Sequence, residues 1–257
     1  MIFIGERINT GFKDIKQAVT DKDPKPLQKW ARKQTDAGAT YLDVNLGAVS
    51  SKPEDHCWMI ETVQEAVDTL ICIDTNKVNI LAEALKVCKK SPLINSTTAA
   101  DEKLEPMMAL AAEYNASIIG VVMDEAGAPK NADKRVENAG KILAKAMELG
   151  LEPDRVFLDP IVMPLKFMQE QAGQILEATR QFGLFSDPPP HITCGLSNIS
   201  NGTKNKSLIN RIFLTMAIQC GMDSAICDVM DRKLVNAAKT AELVMNREIY
   251  ADAYLSM

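Results

Sequence analysis

Eight short apolar runs, most of them followed by a stretch with helical spacing, recur along this 257-residue chain. The runs are Ile2–Ile4, Tyr41–Val44, Leu70–Ile73, Leu93–Ile94, Ser117–Val122, Val156–Leu158, Ile192–Cys194 and Ser224–Ile226. The helical patterns are Lys25–Ala37, Glu54–Asp68, Val78–Lys89, Glu102–Tyr114, Asp133–Leu149, Leu165–Phe182, Leu208–Cys220 and Arg232–Asn246. Such alternation requires parallel strands joined by right-handed crossovers. Eight units in a chain of this length predict a closed (β/α)8 TIM barrel. An open doubly wound sheet would carry fewer strands and a Gly-rich first turn, which is missing here. No Pro/Gly/Ser-rich linker divides the chain, so residues 1–257 are expected to form a single domain.

Charge narrows the class of partner. The net charge is -5, and no run of Lys or Arg is longer than two residues. A nucleic-acid binder would show a basic face, and a membrane-surface binder would need one too. No stretch stays apolar for the ~20 residues of a membrane span. The start, Met1 to Arg7, lacks the basic opening and long apolar run of a signal peptide. The expected location is cytoplasmic. The six cysteines form no C-x-x-C pair and are expected to be buried free thiols, with no bound metal.

In a barrel, chemistry sits at the C-terminal ends of the strands. Polar residues gather there in this sequence: Gly5-Glu6-Arg7-Ile8-Asn9, Asp43-Val44-Asn45-Leu46-Gly47, Asp74-Thr75-Asn76, Asn95-Ser96-Thr97, Asp124, Asp159-Pro160, Gly195-Leu196-Ser197-Asn198 and Asp228. Any one of them alone reads as a helix cap or Asx turn. Asp74, Asn95 and Asp159 stand at the last strand position, where they would point into one mouth. A buried carboxylate accepts two parallel hydrogen bonds from an amidine-like edge, and an Asn both donates and accepts. The mouth therefore suits a polar heteroaromatic ligand.

These motifs, with Ile199-Ser200 and Leu208-Ile209-Asn210-Arg211, resemble the methyltetrahydrofolate:corrinoid methyltransferases of the pterin-binding barrel superfamily, across essentially the whole chain. The resemblance implies that Asp74, Asn95 and Asp159 hold the pterin edge. It implies that Asn198 hydrogen-bonds the methyl-bearing nitrogen, and that Asp43, Asn45, Gly195 and Ser197 complete the pocket. It also implies a homodimer, with methyltetrahydrofolate or tetrahydrofolate as substrate and the corrinoid (cobalamin) supplied by a partner protein. Lys206 and Asn201, candidate folate contacts, stand where the family carries Arg and Gln. Lys does not replace Arg in a bidentate contact, so the departure touches the folate tail or the partner rather than the pterin. The rival family on this barrel, dihydropteroate synthase, carries Ser-Arg-Lys after strand 7, where this chain has Ser197-Asn198-Ile199. An Asn suits a neutral amine leaving group and not an anionic one. A non-catalytic folate-binding or docking module is the third reading, with the complete set of pocket residues against it. The sequence leaves the direction of transfer open.

Neither His56, on a helix, nor His191, before strand 7, is expected to act in catalysis. The loop Met123–Asp133 has the composition of a lid, a docking surface or an ordinary surface loop. Met107, Met108, Met216, Met222 and Met230 are expected to pack in the core.

Overall fold

The computed structural model describes residues 1–256. Its strands are β1 (Ile2–Asn9), β2 (Tyr41–Asn45), β3 (Leu70–Asp74), β4 (Leu93–Thr98), β5 (Ser117–Val121), β6 (Val156–Asp159), β7 (His191–Ile192) and β8 (Ser224–Cys227). The helices are α1 (Lys13–Asp21), α2 (Pro24–Asp36), α3 (Pro53–Gln64), α4 (Val78–Val87), α5 (Asp101–Glu113), α6 (Ala132–Glu148), α7 (Gln171–Phe182), α8 (Lys206–Gln219) and α9 (Arg232–Val244). All pairings between the strands are parallel, in the order β7-β6-β5-β4-β3-β2-β1-β8. A bridge between Gly195 and Ile226, with Ile226 N–H donating to Cys194 O at 2.9 Å, closes the sheet. The predicted (β/α)8 barrel is the observed fold.

Strand side chains alternate between two apolar compartments. Leu42, Val44, Ile71, Ile73, Ile94, Ile118, Val156 and Leu158 face outward into the main core beneath the helices. Ile4, Cys72, Leu93, Ile119 and Phe157 face inward and form a separate plug on the barrel axis. Parallel strands buried on both faces read as continuous apolar runs, which is why the runs were visible in the sequence.

Several sequence expectations need correction. Helix α1 had no counterpart, although Ile15, Ala18 and Val19 are its buried face; one apolar turn is too short a pattern to stand out. The helix expected over Leu165–Phe182 begins at Gln171. Leu165 N–H instead donates to Ile199 O at 3.0 Å, a tertiary bond that holds the preceding segment in turns. Asn95 is not the last residue of its strand but the third of β4. Met107, Met108 and Met222 are in the core, but Met216 and Met230 are 49 % and 38 % exposed. Cys72, Cys194, Cys220 and Cys227 are buried as expected, whereas Cys57 and Cys88 are half-buried.

Candidate active site

The inward alternation that builds the plug also builds the site. Two residues beyond Cys72, Leu93 and Phe157 stand Asp74, Asn95 and Asp159, and two beyond Ile4 stands Glu6. The period of two along a strand therefore sets a polar layer directly on an apolar one. Ladder register aligns Asn45 with Asp74 and Asp74 with Asn95.

Two bulges tune this layer. Between Gly5 and Ile8 the register of β1 against β2 slips by one residue, and a bulge re-aims the side chains it carries. The Arg7 N–H freed there donates to Gln34 Oε1 at 3.0 Å. Gln34 can reach it because position 5 is glycine; a Cβ there would collide with the Gln34 amide. The second slip lies between Asn95 and Thr97 on β4.

On the β2–β4 side, Asn45, Asp74 and Asn95 line a crevice of about 360 Å³ together with Thr75, Lys77 and Ser96. Asp43 lies beneath, 2 % exposed. Asn95 Nδ2 donates to Asp43 Oδ1 at 3.1 Å, and Asn45 Nδ2 donates to Asp74 Oδ2. Burial drives the Asp43 carboxyl well above its usual range, and the neighbouring Asp74 charge drives it further. Asp74 is raised to about 6, chiefly by burial, against hydrogen bonds from Asn45 and Asp43. Two facing carboxyls cannot both ionise cheaply. Of the two, Asp43 lies deeper and is pushed further toward its protonated form. The pairing also sets the Asn95 amide, because its NH2 is spent on Asp43 and its oxygen is left to accept.

Across the axis, the Asp159 carboxylate accepts Ile161 N–H at 2.8 Å and also the N–H of Gly195. Burial raises it to about 6, with those two N–H groups opposing. The segment after β7 makes a 3-10 turn over Leu196–Asn198, and Asn198 N–H returns to Gly195 O at 3.2 Å. Ser197 and Asn198 are exposed at the mouth. A Cβ at position 195 would stand 2.9 Å from Asn198 Nδ2, so the glycine makes room for the Asn198 amide.

The structure adds one residue not singled out from the sequence. Ser197 Oγ donates to both carboxylate oxygens of Glu6, at 2.9 and 3.1 Å. Burial raises the Glu6 carboxyl, the Ser197 bond lowers it, and the Asp228 charge raises it again. The signal was present, since Ile2, Ile4 and Glu6 follow the same alternation as Cys72 and Asp74.

Other candidates fall outside the layer. Asn201 and Lys206 are exposed; Asn201 N–H donates to Asn198 O at 3.1 Å, and Lys206 opens α8. Asp124 is held by Asn138 and Lys134 within a turned loop. Asn9, Asp124 and Asp228 each accept the backbone N–H two residues on, which is the Asx-turn role. His191 Nδ1 lies 2.6 Å from Asp223 Oδ2 at the opposite end of the barrel. His56 is fully buried on α3, its Nε2 on Val44 O at 2.9 Å; burial lowers its pKa.

Comparison with known proteins agrees with this geometry. The family model described as pterin binding enzyme matches residues 5–228. A methylcorrinoid:tetrahydrofolate methyltransferase of Eubacterium limosum is 34 % identical over 96 % of this chain and 92 % of its own. The methionine synthase of Mycobacterium tuberculosis is 27 % identical over 88 % of the chain, which spans only 20 % of that protein. Among solved structures, the Yersinia pestis DHPS with a pterine-sulfa conjugate superposes with a TM-score of 0.67 over 96 % of this chain and 94 % of that one. At 14 % identity that likeness speaks for the fold alone. With a family match running from the β1 bulge to the end of β8, this chain belongs to the pterin binding enzymes.

Proposed function

We propose that the chain is a methyltransferase that moves the N5-methyl group between tetrahydrofolate and the cobalt of a corrinoid carried by a partner protein. The observation that carries this is the polar layer of Asp74, Asn95 and Asp159, facing a β7 turn that offers the neutral amide of Asn198. An anionic leaving group, as in dihydropteroate synthesis, would need a cation there.

In this reading, the Asp159 carboxylate accepts the 2-amino and ring N–H of the pterin as a bidentate pair. Asp74 offers its second oxygen, and Asn95 its carbonyl oxygen. Asp43 and Asn45 hold those two groups in orientation rather than touching the ring. Asn198 faces nitrogen-5, whose charge changes as the N–CH3 bond forms or breaks. When the methyl group leaves, the bonding pair stays on nitrogen-5, which must carry a proton or a strong hydrogen bond to be a competent leaving group. A preorganised amide dipole aimed at that atom favours the transition state over the ground state. Glu6, with its raised carboxyl bonded to Ser197 next to Asn198, is the candidate to hold the proton.

The Eubacterium limosum relative is named for transfer from a methylcorrinoid to tetrahydrofolate. We adopt that direction, and the reverse runs through the same groups. Residues 1–257 act as one pterin-binding unit in this proposal, in a cytoplasmic setting. Among the described residues no helix is long and apolar enough to cross a membrane. A homodimer is retained; Leu208, Ile212 and Met216, about half exposed along one stripe of α8, offer it an apolar face.

The test is anaerobic incubation with methyltetrahydrofolate and free cob(I)alamin. Methylcobalamin is the expected product, with no condensation of a pterin pyrophosphate and p-aminobenzoate. Condensation without methyl transfer would establish the synthase instead. Folate affinity should also respond to acid. Asp159 must be ionised to accept two N–H groups, so binding holds above about pH 6 and weakens below it. Calorimetry between pH 5 and 8, flat across that span, would remove Asp159 from the site.

A further inference from the structure

Arg135, in the first turn of α6, is 0 % exposed, and no carboxylate pairs with it among the described residues. Burying an unpaired guanidinium is costly, so its neighbours must repay the burial. Its Nη1 donates to Asn131 O at 3.1 Å and its Nη2 to Gln171 Oε1 at 3.0 Å. Gln171 in turn donates to Lys130 O at 3.0 Å. These bonds tie α6 to α7. The third bond goes elsewhere: Nε donates to Pro160 O at 2.8 Å.

That carbonyl is one end of the Pro160–Ile161 peptide group. The other end, Ile161 N–H, is the donor held by Asp159 Oδ1 at 2.8 Å. Guanidinium, peptide and carboxylate therefore form one chain, with a buried cation at one end and a mouth carboxylate at the other. Hydrogen bonds in such a chain polarise and strengthen one another. The peptide is turned into place by Ile161 at φ +63°, a left-handed conformation that a β-branched residue adopts only under tertiary constraint. We infer that Arg135 is a positioning residue for Asp159. It fixes the Pro160–Ile161 peptide so that Oδ1 is held by one lone pair and the carboxylate keeps both oxygens turned to the pterin edge. This rests on the folate reading above. It assigns the site a support on α6, outside the strands and loops that form the mouth.

Other groups do not account for this control. Among the described residues, apart from the two N–H donors, the group that interacts electrostatically with Asp159 is the Cys194 thiol beyond β7, which burial keeps neutral. Val121 opposite it on β5 is apolar.

The experiment is tetrahydrofolate calorimetry from pH 5 to 8 on the wild-type chain, Arg135→Met and Arg135→Lys, beside steady-state methyl transfer. Loss of a bond to an ion predicts about tenfold weaker binding for Arg135→Met, with kcat at saturating folate within about threefold. The acid limb near pH 6 should move upward, because a weakened N–H donor stabilises the carboxylate less. Arg135→Lys, keeping the charge and one donor, should recover most of the affinity. An unchanged affinity and limb in Arg135→Met would overturn the inference, since a purely architectural Arg changes only how much protein folds. Should Arg135→Met not fold, Gln171→Glu sets a carboxylate against Nη2 and quenches the charge without removing that acceptor. It should raise the limb, and an unmoved limb overturns the inference equally. A wild-type chain that binds no folate would instead sink the functional reading itself.

Discussion

Asn198→Ala will slow methyl transfer by about 10²–10³-fold while changing folate affinity only a few-fold, the signature of a group acting in the transition state. The two effects separate because different elements carry them. Affinity is built on β3, β4 and β6, where Asp74, Asn95 and Asp159 are anchored by Asn45, Asp43 and backbone N–H groups. Asn198 sits on a turn after β7, exposed, with its amide accommodated by a glycine. Its removal leaves the other anchors untouched. An amide can donate to nitrogen-5 in one protonation state and accept from it in another, which no alanine does. Single-turnover rates with methylcob(III)alamin and tetrahydrofolate, set beside calorimetric affinities, make the comparison. Equal losses in rate and binding would reduce Asn198 to a ring-orienting residue.

Asp159→Asn will nearly abolish folate binding and yet stabilise the empty chain at neutral pH. The amide cannot accept two N–H groups from the pterin edge while also satisfying Ile161 and Gly195, so a loss of roughly 100-fold is expected from two charge-assisted bonds. Stability moves the other way. The folded pKa of Asp159, about 6, lies above its ordinary 3.8. A carboxyl raised on folding contributes stability that is fully present below about pH 4 and is lost as pH rises through 6. Between those limits the shift amounts to at most about 3 kcal/mol. Asparagine mimics the protonated form at every pH, less about 1 kcal/mol for a bond it fails to accept. Urea unfolding should therefore favour the variant at pH 8 and bring the two proteins together near pH 4. Equal stabilities at both pH values would mean that burial of this charge costs nothing. Asp74, raised for the same reason, belongs to the same trade between stability and function.

The barrel was legible because strands buried on both faces must be apolar, and because the helices between them repeat one face every three or four residues. Asp74 and Asp159 were legible as candidates because each ends an apolar run at the last strand position, and because such polar ends recur at strand after strand. The limits were equally physical. Asp124, Asp159 and Asp228 look the same in the sequence, and all three accept the backbone N–H two residues on. What sets Asp159 apart is a second N–H, from Gly195 of the neighbouring strand end, a tertiary contact that a string of residues does not display. Glu6 follows the same inward alternation as Asp74, but its bond to Ser197 joins residues at opposite ends of the chain, which local pattern does not reveal. Arg135 carried no signal at all, since a basic residue in the first turn of a helix reads as solvated surface. Asn201 and Lys206 rested on resemblance alone, and the structure shows both exposed.

The strands of this barrel are unevenly laced. β2 meets β3 over five residue pairs, whereas β6 meets β7 over two and the closure onto β8 passes through a single bridge at Gly195. A closed sheet resists deformation only as well as its sparsest seam, so thermal breathing of the barrel concentrates between β6 and β8. Asp74 and Asn95 stand on the densely laced side, and Asn198 beside the sparsest seam. In the proposed reading, the amide that must follow nitrogen-5 through a change of charge is mounted where the wall is expected to yield most.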